Sequence, residues 1–305
     1  MSDYLLETRS LSKKYNDRFA VEHVDLHIKR GAIYGLVGKN GAGKTTIMRM
    51  LSGLATPSSG EISLFGESGT QAKSHFSRIG VLIEEPGLYE DMSAVDNLKL
   101  KQIAIGLRGR DYISTLLNMV GLAEIGNKKV KEFSLGMRQR LGIAMALIGE
   151  PDLLILDEPI NGLDPEGIVE IREILIKLVE EKNITIMISS HLLEELAKMA
   201  TVYGFINKGK LIQEISHEKL MNECNQFIEI QLDAPMLATT VIEKLGILNY
   251  KVVNRNTIRI YEQLSRSSEI NLALAKENSA IHSITTSQVS LEDYFLALTE
   301  GTNYG

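Results

Sequence analysis

GKNGAGKT, residues 38–45, decides how the rest of the chain is read. It fits the pattern G-x-x-x-x-G-K-[ST], follows the apolar run AIYGLVG and opens a helix-patterned stretch, the setting that a phosphate-binding loop requires. Backbone N–H groups of Gly41 to Thr45, backed by a helix dipole, form a nest for a polyanionic phosphate. Glycine is needed because a Cβ would hold the backbone away from the phosphate oxygens. Lys44 can reach the β- and γ-phosphates as a point charge, and the Thr45 hydroxyl can ligate Mg²⁺. The expected nucleotide contacts are Gly38, Lys39, Asn40, Gly41, Ala42, Gly43, Lys44, Thr45 and Thr46.

Outward from the loop, short β-branched runs alternate with helical patterns over the first two thirds of the chain, which argues for an α/β layer structure. AIYGLVG (32–38), IGVLIEE (79–85), DLLILDE (152–158) and ITIMISS (184–190) read as buried strands. They are nearly continuous in apolar residues, as parallel strands covered on both faces should be. Between Met92 and Gly149 the pattern is mostly helical, with SAVDNLKLKQIAIGL and RDYISTLLNMVGL carrying apolar residues three and four apart. That stretch is a helical insert between two strands. Asp157 ends an apolar run, so its carboxylate emerges at the C-terminal edge of a strand, where it can hold Mg²⁺. Strand alternation sends Glu158 to the opposite side, free to orient a water for in-line attack on a γ-phosphate. His191 ends the neighbouring strand and can contact the same phosphate as a polar donor.

The 305 residues are 44% hydrophobic and 24% charged, an ordinary balance for a soluble globular protein of about two domains. The net charge of −6 does not favour nucleic acid or an anionic membrane surface as a partner. Lys128, Lys129 and Lys131 form a local basic cluster that reads as a solvated loop. Cys224 is the only cysteine, which excludes an internal disulfide and fits a reducing compartment. The N-terminus has no secretion-signal pattern, and no apolar run reaches the ~18 residues of a membrane span.

After about Ile215 the texture changes. FIEIQL, a helix opened by Pro235, a hairpin turning at Asn254–Asn256, the helix SSEINLALAKEN, the strand IHSITTS and a last helix SLEDYFLALTEG follow in order. Ser290 and Asp293 make a capping pair for that last helix. The order suggests a small α+β module of ferredoxin-like type, without a cluster of His, Cys or carboxylates. The expected division is 1–215, with the insert at about 92–149, and 216–305.

FSLGMRQRLGIAMAL (133–147) taken alone is a helix start capped by Ser134. Together with the phosphate loop, LLILDEP, NGLDP and His191, it makes residues 1–215 resemble the nucleotide-binding subunits of ATP-binding-cassette (ABC) transporters. The resemblance implies a P-loop nucleoside triphosphate hydrolase fold of the ABC type, with a mainly parallel core sheet, an antiparallel β subdomain and the helical insert. It implies that Tyr15, ahead of the first strands, stacks on adenine. It implies that Glu158 is the catalytic base. It also implies that Ser134, Gly136 and Asp164 face the ATP bound by a second copy, so that two copies enclose two ATP molecules. Two departures stand out. Leu135 and Met137 replace the usual Gly and Gln, and Glu84, in VLIEEPGLY, stands where the family has a metal-ligating Gln. A carboxylate there suits a hard cation but adds negative charge and has no N–H donor.

Glu84, FSLGMRQR and the SLEDYFLALTEG tail narrow the resemblance to the ATPases of bacterial peptide-antibiotic exporters, of lantibiotic-immunity and bacitracin-resistance type. The expected protein hydrolyses ATP with Mg²⁺, binds integral-membrane permease subunits and sits on the inner face of the cell membrane through them. An importer ATPase with a regulatory C-terminal module, or a soluble mechanical ATPase acting on DNA or ribosomes, are the alternatives. The second usually carries two cassettes or strongly basic segments, which this chain lacks.

Overall fold

The computed structural model describes residues 4–107, 111–224, 226–233, 235–277 and 280–300. Arg110, Asn278 and Gly301, at the ends of three expected helices, lie outside them. The chain divides into two compact units, Met1–His217 and Glu218–Gly305.

The first unit is built on a six-stranded sheet. From one edge the strands run Lys210–Ser216, Val202–Asn207, Ile33–Val37, Thr185–Ser190, Leu153–Asp157 and Ile79–Leu82. All neighbours are parallel except the edge strand Lys210–Ser216. Every residue of the strands Ile33–Val37, Leu153–Asp157 and Thr185–Ser190 is buried, which is why their sequences show no alternation. A second, antiparallel sheet is centred on Tyr4–Tyr15, flanked by Arg18–Val24, Ser59–Leu64 and the short His27–Lys29. Leu6, Val21 and Ile28 from this sheet join Leu36, Ile47, Leu153 and Met187 in one core, so the two sheets share a buried layer.

The insert comprises the helices Ala94–Ala104, Asp111–Met119 and Leu135–Leu147 with a short 3₁₀ turn Val130–Glu132. Its third helix packs directly on the strand Ile79–Leu82. A Cβ on Gly80 would sit 2.2 Å from the Ala146 carbonyl oxygen, so this approach of helix to strand depends on a missing side chain. Lys131 of the basic cluster pairs with Asp91 at 2.9 Å.

In the second unit four antiparallel strands lie in the order Tyr250–Asn254, Thr257–Ile260, Gln226–Leu232, Ile281–Gln288. The helices Pro235–Lys244 and Ser267–Lys276 bury Ile242 and Leu274 against Ile228, Ile230, Ile258 and Ile260. Each helix bridges two strands that have a third between them, the split β-α-β arrangement. The helix Leu291–Glu300 follows a closed cap: the Asp293 N–H donates to Ser290 Oγ at 3.0 Å, and that hydroxyl donates to Asp293 Oδ2 at 2.7 Å. Cys224 is buried, and burial with the nearby Glu223 charge pushes its thiol pKa up to about 11.

Candidate nucleotide site

The helix Lys44–Leu51 starts from Gly43, whose φ of 112° lies in the left-handed region. A Cβ there would meet the Ala20 carbonyl oxygen at 2.7 Å, so glycine alone lets the chain turn here. No side chain caps this helix. Its first N–H groups are left for a ligand, as an anion nest requires. Lys44 is only 6% exposed, and a buried ammonium is costly unless partnered. It donates to the Gly38 carbonyl at 2.6 Å, more weakly to Lys39 at 3.4 Å, and stands 3.1 Å from Glu158 Oε1.

Behind the loop the ends of two neighbouring strands converge. The Thr45 hydroxyl donates to Asp157 Oδ2 at 2.6 Å, and the Ser189 hydroxyl donates to Asp157 Oδ1 at 2.5 Å. The same Ser189 oxygen accepts the Glu158 N–H at 2.9 Å. His191 Nδ1 lies 2.9 Å from Glu158 Oε2. Glu158 Oε1 is buried and, although close to Lys44, receives no hydrogen bond. An acceptor left in that condition is suited to a water or ligand donor.

Strand alternation is not what aims Glu158. The strand ends at Asp157, and Glu158 itself has φ 48°, a left-handed conformation that a glutamate adopts at some cost. That twist and the Ser189 bond bring its carboxylate back over the phosphate loop. His191 likewise lies just past its strand, which ends at Ser190.

A cavity of about 370 Å³ opens above these groups, with Phe19, Asn40, Lys44, Thr45, Glu158 and Lys208 among its walls. Tyr15, Ser134, Gly136 and Asp164 are not among the described residues that line it. Tyr15 does not precede the first strands; it is the last residue of the strand Tyr4–Tyr15. Its half-exposed ring has the Lys13 ammonium 5.0 Å from its centre. Glu84, with φ 65°, is ion-paired to Arg49 on the phosphate-loop helix. The structure therefore joins Glu84 to that helix through a cation, while Thr45 and Asp157 contact each other directly. Among the described residues no three His, Cys, Asp or Glu side chains form a metal cluster. The Thr45–Asp157 oxygen pair still fits Mg²⁺, which keeps several waters and takes phosphate oxygens for the rest of its shell.

Ser134 and Asp164 each begin a helix. The Ser134 oxygen accepts from the Met137 N–H at 3.3 Å, and Asp164 accepts from the Gly167 N–H at 3.2 Å. The two starts are neighbours: a Cβ on Gly136 would meet only Leu163, at 3.9 Å, and one on Gly162 would meet Leu135 at 3.4 Å. Leu135 is 49% exposed. Sequence reasoning overlooked Ser189, Phe19, Lys208 and Arg49. A buried hydroxyl pair at the end of ITIMISS was the available signal for Ser189; the others carry none.

The family model for ABC transporters matches residues 21–161. The bacitracin transport ATP-binding protein BcrA of Bacillus licheniformis is 42% identical over 303 residues, covering 99% of each chain. The chain belongs to the ABC transporter family. The lantibiotic transport ATP-binding protein SrtF of Streptococcus pyogenes is 47% identical over 214 residues, 70% of this chain and 92% of that one. The solved structure of cbiO1 from Clostridium perfringens, part of the ABC transporter complex cbiONQ, is similar with a TM-score of 0.66. Its identity is 26% over 80% of this chain and 97% of that one. This ABC protein is an ATPase with the P-loop cassette fold, and ATP is its nucleotide.

Proposed function

We propose that this ABC ATPase is the motor subunit of a membrane exporter that expels a peptide antibiotic of the bacitracin or lantibiotic class. The observation that carries the class of cargo is the match to the bacitracin transport protein, which runs through the second unit as well as the cassette. Two copies close around two ATP molecules, each supplying Ser134, Gly136 and Asp164 to the other's nucleotide. A serine oxygen that accepts a capping bond keeps its own O–H, so Ser134 can cap its helix and donate to a phosphate together.

The residues in the cavity divide the work of hydrolysis. Lys44 trades the loop carbonyls for β- and γ-phosphate oxygens, which frees Glu158 from its ion contact. Glu158 then takes a proton from the attacking water, with its carboxylate held by His191. His191 Nδ1 is occupied by Glu158, leaving Nε2 to face the γ-phosphate. Thr45 and Asp157 would hold Mg²⁺, which when bound neutralises charge on the phosphates.

No helix among the described residues is long and apolar enough to cross a membrane, so transport needs permease subunits. A cleft of about 320 Å³ lined by Leu54, Leu82, Pro86, Leu88, Lys101 and Met145 supports their docking on this unit. Burial depresses the Lys101 amine pKa within it. The subunit then works on the cytoplasmic face of the membrane.

Deleting the gene is expected to sensitise cells to bacitracin- or lantibiotic-type peptides, measured as growth inhibition. Wild-type protein should restore growth and a Lys44→Ala variant should not. Unchanged sensitivity to such peptides on deletion would overturn the assignment of cargo.

A further inference from the structure

One wall of the nucleotide cavity comes from neither the phosphate loop nor the carboxylate-bearing strand ends. In the hairpin of Val202–Asn207 and Lys210–Ser216, Asn207 pairs with Lys210, so the loop is just Lys208 and Gly209. Both have positive φ, 48° and 80°. Such two-residue turns favour Asn-Gly or Gly-Gly, and lysine in the first position is strained. The turn is anchored where it matters. The Gly209 N–H donates to the Ala42 carbonyl of the phosphate loop at 2.8 Å, and the Gly209 carbonyl accepts from the Glu22 N–H at 2.8 Å. Phe19 also lines this end, next to Ala20, whose carbonyl oxygen lies 2.8 Å from where a Gly209 Cβ would be.

Lys44 and Lys208 are the cations among the described residues that line the cavity. Lys44 is already engaged by two carbonyls and Glu158. The Lys208 side chain is exposed and has no hydrogen-bond or ion-pair partner among the described residues, whereas the nearby Lys210 is paired with Glu22 at 3.2 Å. A strained lysine, pinned to the phosphate loop through its neighbour and left without a partner, has a polyanion as its natural counterpart. We propose that Lys208 is a second nucleotide-binding cation, taking the α-phosphate from the hairpin wall of the cavity. This rests on the cavity being the ATP site. It makes the hairpin a working part of that site, so that a triphosphate is held at both ends.

The test is calorimetric titration of the full-length protein with ATP and ADP, beside thermal unfolding. Lys208→Asn places a favoured turn residue there, so its unfolding temperature should equal or exceed that of wild type. Its affinity for both ATP and ADP should fall by about tenfold, the worth of one charge-assisted phosphate contact. Lys208→Arg should stay within about twofold of wild type. Unchanged affinity in Lys208→Asn, with wild type binding normally, overturns the proposal and leaves the ATP site intact. A loss confined to ATP would place the lysine at the γ-phosphate and overturn the α-phosphate assignment. Failure of wild type itself to bind either nucleotide, with Lys44→Ala indistinguishable from it, would remove the site and this proposal together.

Discussion

Two helix starts in this molecule present opposite solutions to the same problem of unsatisfied N–H groups. The helix Lys44–Leu51 begins at a left-handed glycine and has no side-chain cap, while the helix Leu135–Leu147 begins at Ser134 and caps itself. The first is surrounded by a wired set of Lys44, Thr45, Asp157, Ser189, Glu158 and His191. Beside the second lies another self-capped start, at Asp164. An uncapped helix end is the part of a site that a ligand completes. A capped one is stable by itself and offers only what its cap leaves over, here a serine O–H and the open face at Gly136.

The strongest way to sharpen this contrast is at the wired end. Glu158→Gln should lower ATP turnover by roughly 10²- to 10⁴-fold, the usual worth of a general base, with ATP affinity retained and dimers accumulating on a sizing column. Wild-type turnover in that variant would take the proton-accepting role from Glu158. At the capped end, Ser134→Asp keeps a good N-cap but sets a negative charge toward phosphate. Its thermal stability should match wild type while turnover falls by about a hundredfold, comparable to losing one preorganised donor. If turnover survives and only stability shifts, Ser134 is a cap and nothing more. The smallest effect is expected in the backbone. Gly43→Ala should cost about 1–3 kcal/mol of stability through its left-handed φ and the Ala20 contact, read from denaturant unfolding. A neutral result there would mean that the turn has room to relax.

These differences also explain how far the sequence could be read. The parallel strands announced themselves because Ile33–Val37, Leu153–Asp157 and Thr185–Ser190 are buried on both faces. The phosphate loop is a contiguous motif, so its residues were visible as a set. Glu158 was expected to leave its strand by simple alternation, yet it turns through a left-handed φ, which nothing in a Glu-Pro pair signals. Ser189 acts through two bonds to residues more than thirty positions away, and no local pattern distinguishes it from Ser190. Phe19 and Lys208 reach the cavity because two separate hairpins meet beside Ala42. That meeting is a tertiary event, invisible to spacing rules. Glu84 was read as a ligand from its place in a motif, but its pairing with Arg49 depends on two elements that only the fold brings together.

The single thiol has a practical corollary. Cys224 is shielded and, with a pKa near 11, stays protonated around neutral pH, so alkylating dyes should pass it by. A cysteine introduced at exposed Leu135 would then be the sole reactive handle on each copy. Spin labels or fluorophores placed there would report whether two copies approach and separate, without first removing a native sulfur.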